Sequence, residues 1–386
     1  MKFLFACGGT AGHINPAVAV AHYIQERQPK AEILFAGNPK GMEAKLIPGA
    51  GFQFAPIEIM GFQRRLTWFN VKYNIRSVGC LMLSWKRSRR LLEGFSPDIA
   101  VGTGGYVSGP LLLEAERMGI PTLTHESNAF PGVTTKLLAK YVDKILLSVE
   151  EAQRFLPQGK EYIVVGNPVR EQVIFADREK ARKKLGITEN QVCIVSFGGS
   201  LGARRVNDAI AGLMKWEKKK GNFFHIHATG GYEKERFAGL LKENGIAPGE
   251  FDVREYISDM PDCLAAADLV ISRSGAITLA ELEASGTASV LIPSPNVAEN
   301  HQYHNAMVLE RHNAARVIEE KNLTPELLQN TVAELCTHPQ TLKDLGKNAR
   351  ALAVLDANER IYREIMGLIA QKKGSNAPSP SAPSQS

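Results

Sequence analysis

Cysteines are few in this chain and never paired. Cys7, Cys80, Cys193, Cys263 and Cys336 stand singly among 386 residues, with no CxxC and no metal-ligand spacing. That excludes a disulfide scaffold or a zinc module and fits reduced thiols of the cytosol, two of them inside expected buried strands. No apolar run reaches the roughly 20 residues of a membrane span. The apolar start is too short, meeting glycine at Gly8, to read as a secretory signal. The expected place is therefore the cytosol, unless something attaches the protein to a surface. A net charge of +6 is modest, so the placement of charges matters more than their sum, and nucleic acid is not an expected partner. No glycine turn is followed by the lysine-serine pair of a Walker loop.

What the chain does have is glycine at matched places. Lys2-Phe3-Leu4-Phe5-Ala6-Cys7 runs into Gly8-Gly9-Thr10-Ala11-Gly12-His13, and Val192-Cys193-Ile194-Val195-Ser196-Phe197 runs into Gly198-Gly199-Ser200-Leu201-Gly202-Ala203. Each is an apolar strand that ends in a glycine turn and opens an amphipathic helix. Such a turn aims unpaired N–H groups and the positive end of a helix dipole at one spot, where phosphate can be held without a metal. Two more turns follow Ile99-Ala100-Val101 at Gly102 to Gly109 and Leu269-Val270-Ile271-Ser272 at Arg273 to Thr278. Two phosphate cradles per half suggest two ligands at the carboxyl edges of the sheets.

Length and pattern give the organisation. With 44% hydrophobic and 22% charged residues, the chain is an ordinary globular protein long enough for roughly two to three domains. Ile14, Ala17, Val18, Ala21 and Ile24 make a helical stripe, with Pro16 placed early in the helix; Val206, Ala209, Ile210, Leu213 and Met214 make its counterpart. Further strands are expected at Glu32–Ala36, Asp98–Val101, Lys144–Leu147, Phe224–Ala228, Asp268–Ser272 and Ser289–Ile292. Strands alternating with helices predict an α/β chain of two parallel-sheet, Rossmann-like halves facing each other. The halves change over near Val164-Val165-Gly166-Asn167-Pro168-Val169-Arg170. The expected domains are 1–165, 166–355, a final helix 356–371 packing back on the first domain, and a disordered Ser/Pro/Ala tail 372–386.

Glycine turns suggest NAD or FAD, but a dinucleotide site needs an acid at the end of the second strand, about 20 residues beyond the glycines, for the ribose. The strands end Leu34-Phe35-Ala36-Gly37-Asn38 and Ile226-His227-Ala228-Thr229-Gly230, with no Asp or Glu. The Gly-Gly-Thr-Ala-Gly spacing also departs from GxGxxG, so a dehydrogenase is set aside.

Six motifs in order, Gly8 to Ala17, His125-Glu126-Ser127-Asn128-Ala129, Gly166 to Arg170, Gly198 to Arg204, Arg273 to Thr278 and Asn300-His301-Gln302, resemble the MurG family. The resemblance runs from the N-terminus to about residue 365, with one departure: Ala11 stands where the family usually has glycine. It implies a GT-B fold of two Rossmann-like domains with the active site between them and no cofactor or metal. It further implies an inverting glycosyltransferase that moves N-acetylglucosamine from UDP-GlcNAc to the muramoyl 4-hydroxyl of lipid I, giving lipid II and UDP for peptidoglycan. Other GT-B enzymes, such as a lipid or natural-product glycosyltransferase or a UDP-sugar 2-epimerase, and a non-catalytic nucleotide-sugar scaffold are the rivals.

The resemblance also carries residue roles. Ser200 and the turn with Ser274, Gly275, Ala276, Ile277, Thr278, Leu279 and Ala280 would face the donor's phosphates and sugar, joined by Thr10, Ala11 and Gly12. Glu281 would bind the ribose hydroxyls, Ile257 would offer its backbone to uracil, and Arg170 and Gln302 would hold uridine and sugar. Asn128 would reach the N-acetylglucosamine from the other half. Singly, Glu281 reads equally as a solvated carboxylate, Arg170 as a hinge ion pair and Ser200 as a helix cap. His13 would act as general base or as a positioning imidazole. Glu126 is a second candidate, with a structural carboxylate as its other reading. Gly102, Thr103, Gly104, Gly105 and Tyr106 would receive the acceptor's diphosphate.

A lipid acceptor implies work at the inner face of the plasma membrane, with cell-wall and division proteins as expected partners. Between Gly61 and Arg90 the chain carries Arg64, Arg65, Lys72, Arg76, Lys86, Arg87, Arg89 and Arg90 and no acid, interleaved with Phe62, Leu66, Trp68, Phe69, Tyr73, Leu81, Met82, Leu83 and Trp85. Basic and aromatic side chains together suit an anionic lipid surface. The other reading is an apolar set packed inside the domain under solvated charges.

Overall fold

A computed structural model describes residues 1–59 and 68–375. The described chain divides into two compact units. One comprises the described parts of Met1–Ser127, Pro131–Val165 and Asp356–Ser386; the other comprises Asn128–Phe130 and Gly166–Leu355.

The first unit is built on β1 (Lys2–Cys7), β2 (Glu32–Gly37), β3 (Gln53–Pro56), β4 (Ile99–Gly104), β5 (Thr122–Glu126), β6 (Lys144–Leu147) and β7 (Tyr162–Val164). All pairs are parallel, in the order β3-β2-β1-β4-β5-β6-β7. Phe3, Leu4, Phe5, Ala6 and Cys7 are buried without alternation, as a strand covered on both faces requires. Helix Ala11–Arg27 lays Ile14, Ala17, Ala21 and Ile24 on one face of the sheet. Helix Ala357–Ser375 adds Ile361, Ile365, Leu368 and Ile369 to the same core. Four such side chains, each worth about 1.5–3 kcal/mol when buried, hold the end of the chain on this unit. The final helix passes residue 371 by four positions; the rest of the expected tail, 376–386, lies outside the described residues.

The second unit repeats the plan with β8 (Val192–Phe197), β9 (Phe223–Ala228), β10 (Asp252–Arg254), β11 (Leu269–Ser272), β12 (Ala288–Leu291) and β13 (Arg316–Val317), in the order β10-β9-β8-β11-β12-β13. Helix Arg204–Lys220 buries Val206, Ala209, Ile210, Leu213 and Met214. In each unit the strand order reverses beside the central strand, between β1 and β4 and between β8 and β11. Ligands of doubly wound sheets bind at the carboxyl ends of strands at such switch points, and all four glycine turns sit there.

Two features differ from the sequence reading. The first helix begins at Ala11, so Pro16, expected early in the helix where its missing N–H does little harm, is already its sixth residue, and that missing N–H leaves the Gly12 carbonyl without an i+4 donor. Strand β4 runs through Gly104, so Gly102, Thr103 and Gly104 belong to the strand and the turn starts three residues later, at Gly105. A register shift between Ala6 and Cys7 pairs Cys7 with Gly104.

Candidate active site

In the first unit Gly9 takes φ +83°, a left-handed value that glycine adopts without strain. The turn is packed from two sides. A Cβ on Gly105 would strike the Gly8 backbone, and one on Gly104 would lie 2.6 Å from His13 Cδ2. Thr103 Oγ1 donates to the His13 carbonyl at 2.6 Å, and Ser108 Oγ, fully buried, donates to the carbonyls of Ala6 and Gly104 at 2.8 and 2.9 Å. The half-buried His13 ring brings Nδ1 within 3.0 Å of the Gly8 carbonyl and 3.3 Å of Thr10 Oγ1. A carbonyl can only accept, so Nδ1 carries the proton in the neutral ring and Nε2 keeps its lone pair. No side chain caps this helix and no acid stands in its first turn.

Glu43, which the sequence did not single out, reaches the same turn. It is 1% exposed, and its carboxylate accepts from Gly9 N at 3.2 Å and Asn38 N at 3.0 Å. Cys7 beneath it has its thiol pushed up by burial and by this carboxylate. Burial likewise pushes the thiols of Cys193, Cys263 and Cys336 up to about 12, which keeps them protonated and unreactive. One amide of the first turn is thus already engaged, contrary to the expectation of an open phosphate cradle.

The second turn is open. Gly199 takes φ +98°, and among the described residues no carboxylate accepts from the turn's amides. A pocket of about 500 Å³ is lined by Gly198, Gly199, Arg204, Arg205, Arg273 and Thr278, with Gln302 and Ser294 at its side. Helices Arg204–Lys220 and Ala276–Ser285 both start here without a side-chain cap, leaving N–H donors free for an anion. Arg273 donates to the carbonyls of Ile292 and Pro293 at 3.1 and 3.2 Å and pairs with Glu320. Buried Ser274 donates to the Gln302 carbonyl at 2.8 Å, while Gln302 Oε1 accepts from Ser294 N at 2.9 Å. These bonds fix the Ser274-Gly275 turn in place.

Glu281 is nearly buried and accepts from Arg170 Nε and Nη2 at 2.8 and 2.7 Å, both on Oε1. Burial pushes its carboxyl above the ordinary range, and Arg170 pulls in the opposite direction. Asn128 belongs to this unit, where Asn305 Nδ2 donates to its Oδ1 at 3.1 Å and Asn305 Oδ1 accepts from Ala129 N at 2.8 Å. Ser200 is exposed in the turn but does not line the pocket, and Ile257, Leu279 and Ala280 turn their side chains into the core. In the first unit Tyr106 is exposed, and Glu126 is buried, accepting from Gly132 N at 3.0 Å and Thr135 Oγ1 at 2.6 Å. Those bonds give Glu126 a structural task.

Arg205, Glu320, Ser294 and Asn305 also escaped the sequence reading. Arg204 and Arg205 did carry a signal: two cations in a helix's first turn oppose its dipole, which favours them where an anion binds.

The sequence matches the glycosyltransferase family 28 N-terminal domain over residues 3–147 and the family's C-terminal domain over 193–361. It is 43% identical to a curated protein of Acetivibrio thermocellus over 96% of this chain and 99% of the relative. That relative is named UDP-N-acetylglucosamine--N-acetylmuramyl-(pentapeptide) pyrophosphoryl-undecaprenol N-acetylglucosamine transferase. The chain belongs to the MurG family of family 28 glycosyltransferases. A Clostridioides difficile protein of the same name is 40% identical over 95% of this chain and 88% of the relative. The crystal structure of Acinetobacter baumannii MurG superposes with a TM-score of 0.76 at 26% identity, covering 95% of this chain and 99% of that one. The family's GT-B fold accounts for the two parallel-sheet units.

Proposed function

We propose that this chain transfers N-acetylglucosamine from UDP-GlcNAc to the 4-hydroxyl of the N-acetylmuramoyl group of lipid I, giving lipid II and UDP. The observation that carries this reading is likeness along nearly the whole chain to transferases named for that substrate pair. The acceptor oxygen attacks the anomeric carbon as the bond from that carbon to the diphosphate breaks. The configuration inverts and the hydroxyl proton leaves to a base.

The second unit is suited to the leaving group: two uncapped helix starts, Arg204 and Arg205 meet charge that grows on the diphosphate as the bond breaks. Glu281 would accept from the ribose hydroxyls through Oε2, since Arg170 occupies Oε1. Ile257 would offer its backbone to uracil, and Gln302 and Asn128 would hold the sugar. His13 is the base in this reading, because the Gly8 carbonyl leaves Nε2 unprotonated. The strand end and turn from Gly102 to Tyr106 would receive the acceptor's diphosphate.

We read the enzyme as peripheral to the cytoplasmic face of the plasma membrane. No described helix is long and apolar enough to cross a membrane. Arg64 and Arg65 of the basic segment lie outside the described residues. Of the described side chains, Leu83, Lys86 and Arg90 are exposed, Arg87 pairs with Glu58, Arg89 pairs with Glu93 and Glu114, and Trp85 lies under Arg117.

The test is UDP release from UDP-GlcNAc with and without a short-chain lipid I analogue, with UDP-N-acetylgalactosamine as competing donor. Release that depends on the acceptor and prefers the gluco donor is expected. Release without acceptor, or none with it, rejects the reading.

A further inference from the structure

The amide that Glu43 captures and the carbonyl that His13 contacts belong to one peptide bond. Glu43 Oε2 accepts from Gly9 N at 3.2 Å, and Gly8 O of the same planar unit accepts from His13 Nδ1 at 3.0 Å. We propose that Glu43 is the positioning carboxylate of His13, acting through the Gly8–Gly9 peptide in a carboxylate–peptide–imidazole relay. The inference rests on the reading of His13 given above, but its test does not.

Three observations carry it. First, the carboxylate site is built: a Cβ on Gly8 or Gly41 would run into the Glu43 carboxylate, and one on Gly37 into its Cγ, so glycines on three segments make room for it. Second, the carboxylate is buried and, among the described residues, has no cation beside it in any ion pair. Among the described residues its hydrogen bonds go to backbone amides, Gly9 N and Asn38 N, and without them the carboxylate would be a costly buried group. Third, amide resonance links the two ends. A carboxylate that accepts from the N–H pushes electron density onto the carbonyl of the same unit, which strengthens its hold on Nδ1–H. The imidazole is thereby fixed in one tautomer and orientation with Nε2 free, the service that a directly bonded carboxylate gives to histidine in hydrolase triads.

The test uses the full-length protein labelled with 15N-histidine, His13→Gln serving to assign the His13 ring signals. In the unmodified protein the neutral His13 ring should show the Nδ1–H tautomer. In Glu43→Gln, which substitutes a neutral acceptor and cannot satisfy both amides, the Nε2–H tautomer should gain population. In the same variant kcat should fall about 10- to 100-fold with the KM for UDP-GlcNAc little changed. Glu43→Asp, which keeps the charge on a shorter arm, should lie between the two, and it carries the same readings should Glu43→Gln fail to fold. Ring signals unchanged in a folded Glu43 variant would overturn the relay whatever happens to the rate. A normal rate in His13→Ala would reject His13 as base, yet the ring signals would still decide whether Glu43 governs its tautomer.

Discussion

Gly8-Gly9-Thr10-Ala11-Gly12 and Gly198-Gly199-Ser200-Leu201-Gly202 are near copies in sequence, both after a buried central strand and both before a long helix, yet they are furnished for different tasks. The first has an amide occupied by Glu43 and a carbonyl occupied by His13. Its anion-binding capacity is partly spent inside the protein, and what it presents outward is an oriented imidazole. In the second, Gly202 N donates within the turn to the Gly199 carbonyl, and among the described residues no carboxylate takes an amide of the turn, which stands beside Arg204, Arg205 and Arg273. A glycine turn at a switch point therefore points to where a ligand comes, while the side chains packed against it decide whether its amides stay available to an anion or are spent inside the protein, as Glu43 spends that of Gly9.

Exchanging properties between the turns is the sharpest way to break that comparison. The largest effect should come from His13→Ala, which removes the proposed base that the Gly8 carbonyl holds. Turnover should fall roughly 10²-fold or more with donor KM little changed. Steady-state kinetics with a lipid I analogue checks this, and near-normal turnover would remove His13 from the chemistry. Arg204→Ala and Arg205→Ala should act in the complementary way. Losing a charge-assisted contact worth about 1.5–3 kcal/mol weakens UDP binding roughly 10- to 100-fold, seen by calorimetry with UDP alone. A variant at the second turn that leaves UDP affinity intact but stops turnover would erase the distinction drawn here.

The two turns, their strands and both helical stripes were legible because apolar periodicity and glycine position are local properties. What escaped was non-local or at a sheet edge. Strands β3, β10 and β13 are short, with only two to four residues each, too few to show a period. Strand β5 reads as polar, Thr122-Leu123-Thr124-His125-Glu126, although every residue is buried. Its polar groups find partners outside the strand, such as Asp143, 21 residues on, for Thr122 and Thr135, nine residues on, for Glu126. Glu43 was invisible for the same reason: it lies 34 residues from the Gly9 amide that gives it meaning. Asn128 was read as reaching toward a ligand from the first half, but it and the next two residues, Ala129 and Phe130, fold with the second unit, an assignment no spacing rule contains. The proline reading fell short for a different reason: a helical stripe shows which residues are buried, not that the helix already starts at Ala11.

The floors beneath the turns differ as well, and this gives the smallest predicted effect. Ala6 pairs with Ala36 in the first sheet, but at the matching register Ser196 pairs with His227; Leu4 pairs with Leu34, but Ile194 pairs with His225. The second unit thus carries a polar cluster where the first is aliphatic. Ser196 Oγ lies 2.7 Å from both His225 Nε2 and His227 Nδ1, and His225 Nδ1 donates to Glu217 at 2.8 Å. Burial, reinforced by His225, pushes the His227 imidazole down to about 3 from an ordinary 6.5. The unfolded chain therefore binds a proton that the folded chain refuses. The contribution of His227 to stability is complete above about pH 6.5 and drains away as pH falls toward 3. Glu281, whose carboxyl is raised in the folded state, acts in the opposite sense, so the net slope is reduced. Hydrogen exchange at pH 7.5 and pH 5 should show the amides of β8 and β9 losing protection on acidification more than those of β1 and β2. His227→Leu should flatten that difference, because an aliphatic side chain restores to the second floor the insensitivity that the first already has. Equal acid sensitivity of the two sheets, unaltered by His227→Leu, would mean that the buried imidazole does not set the stability of its unit.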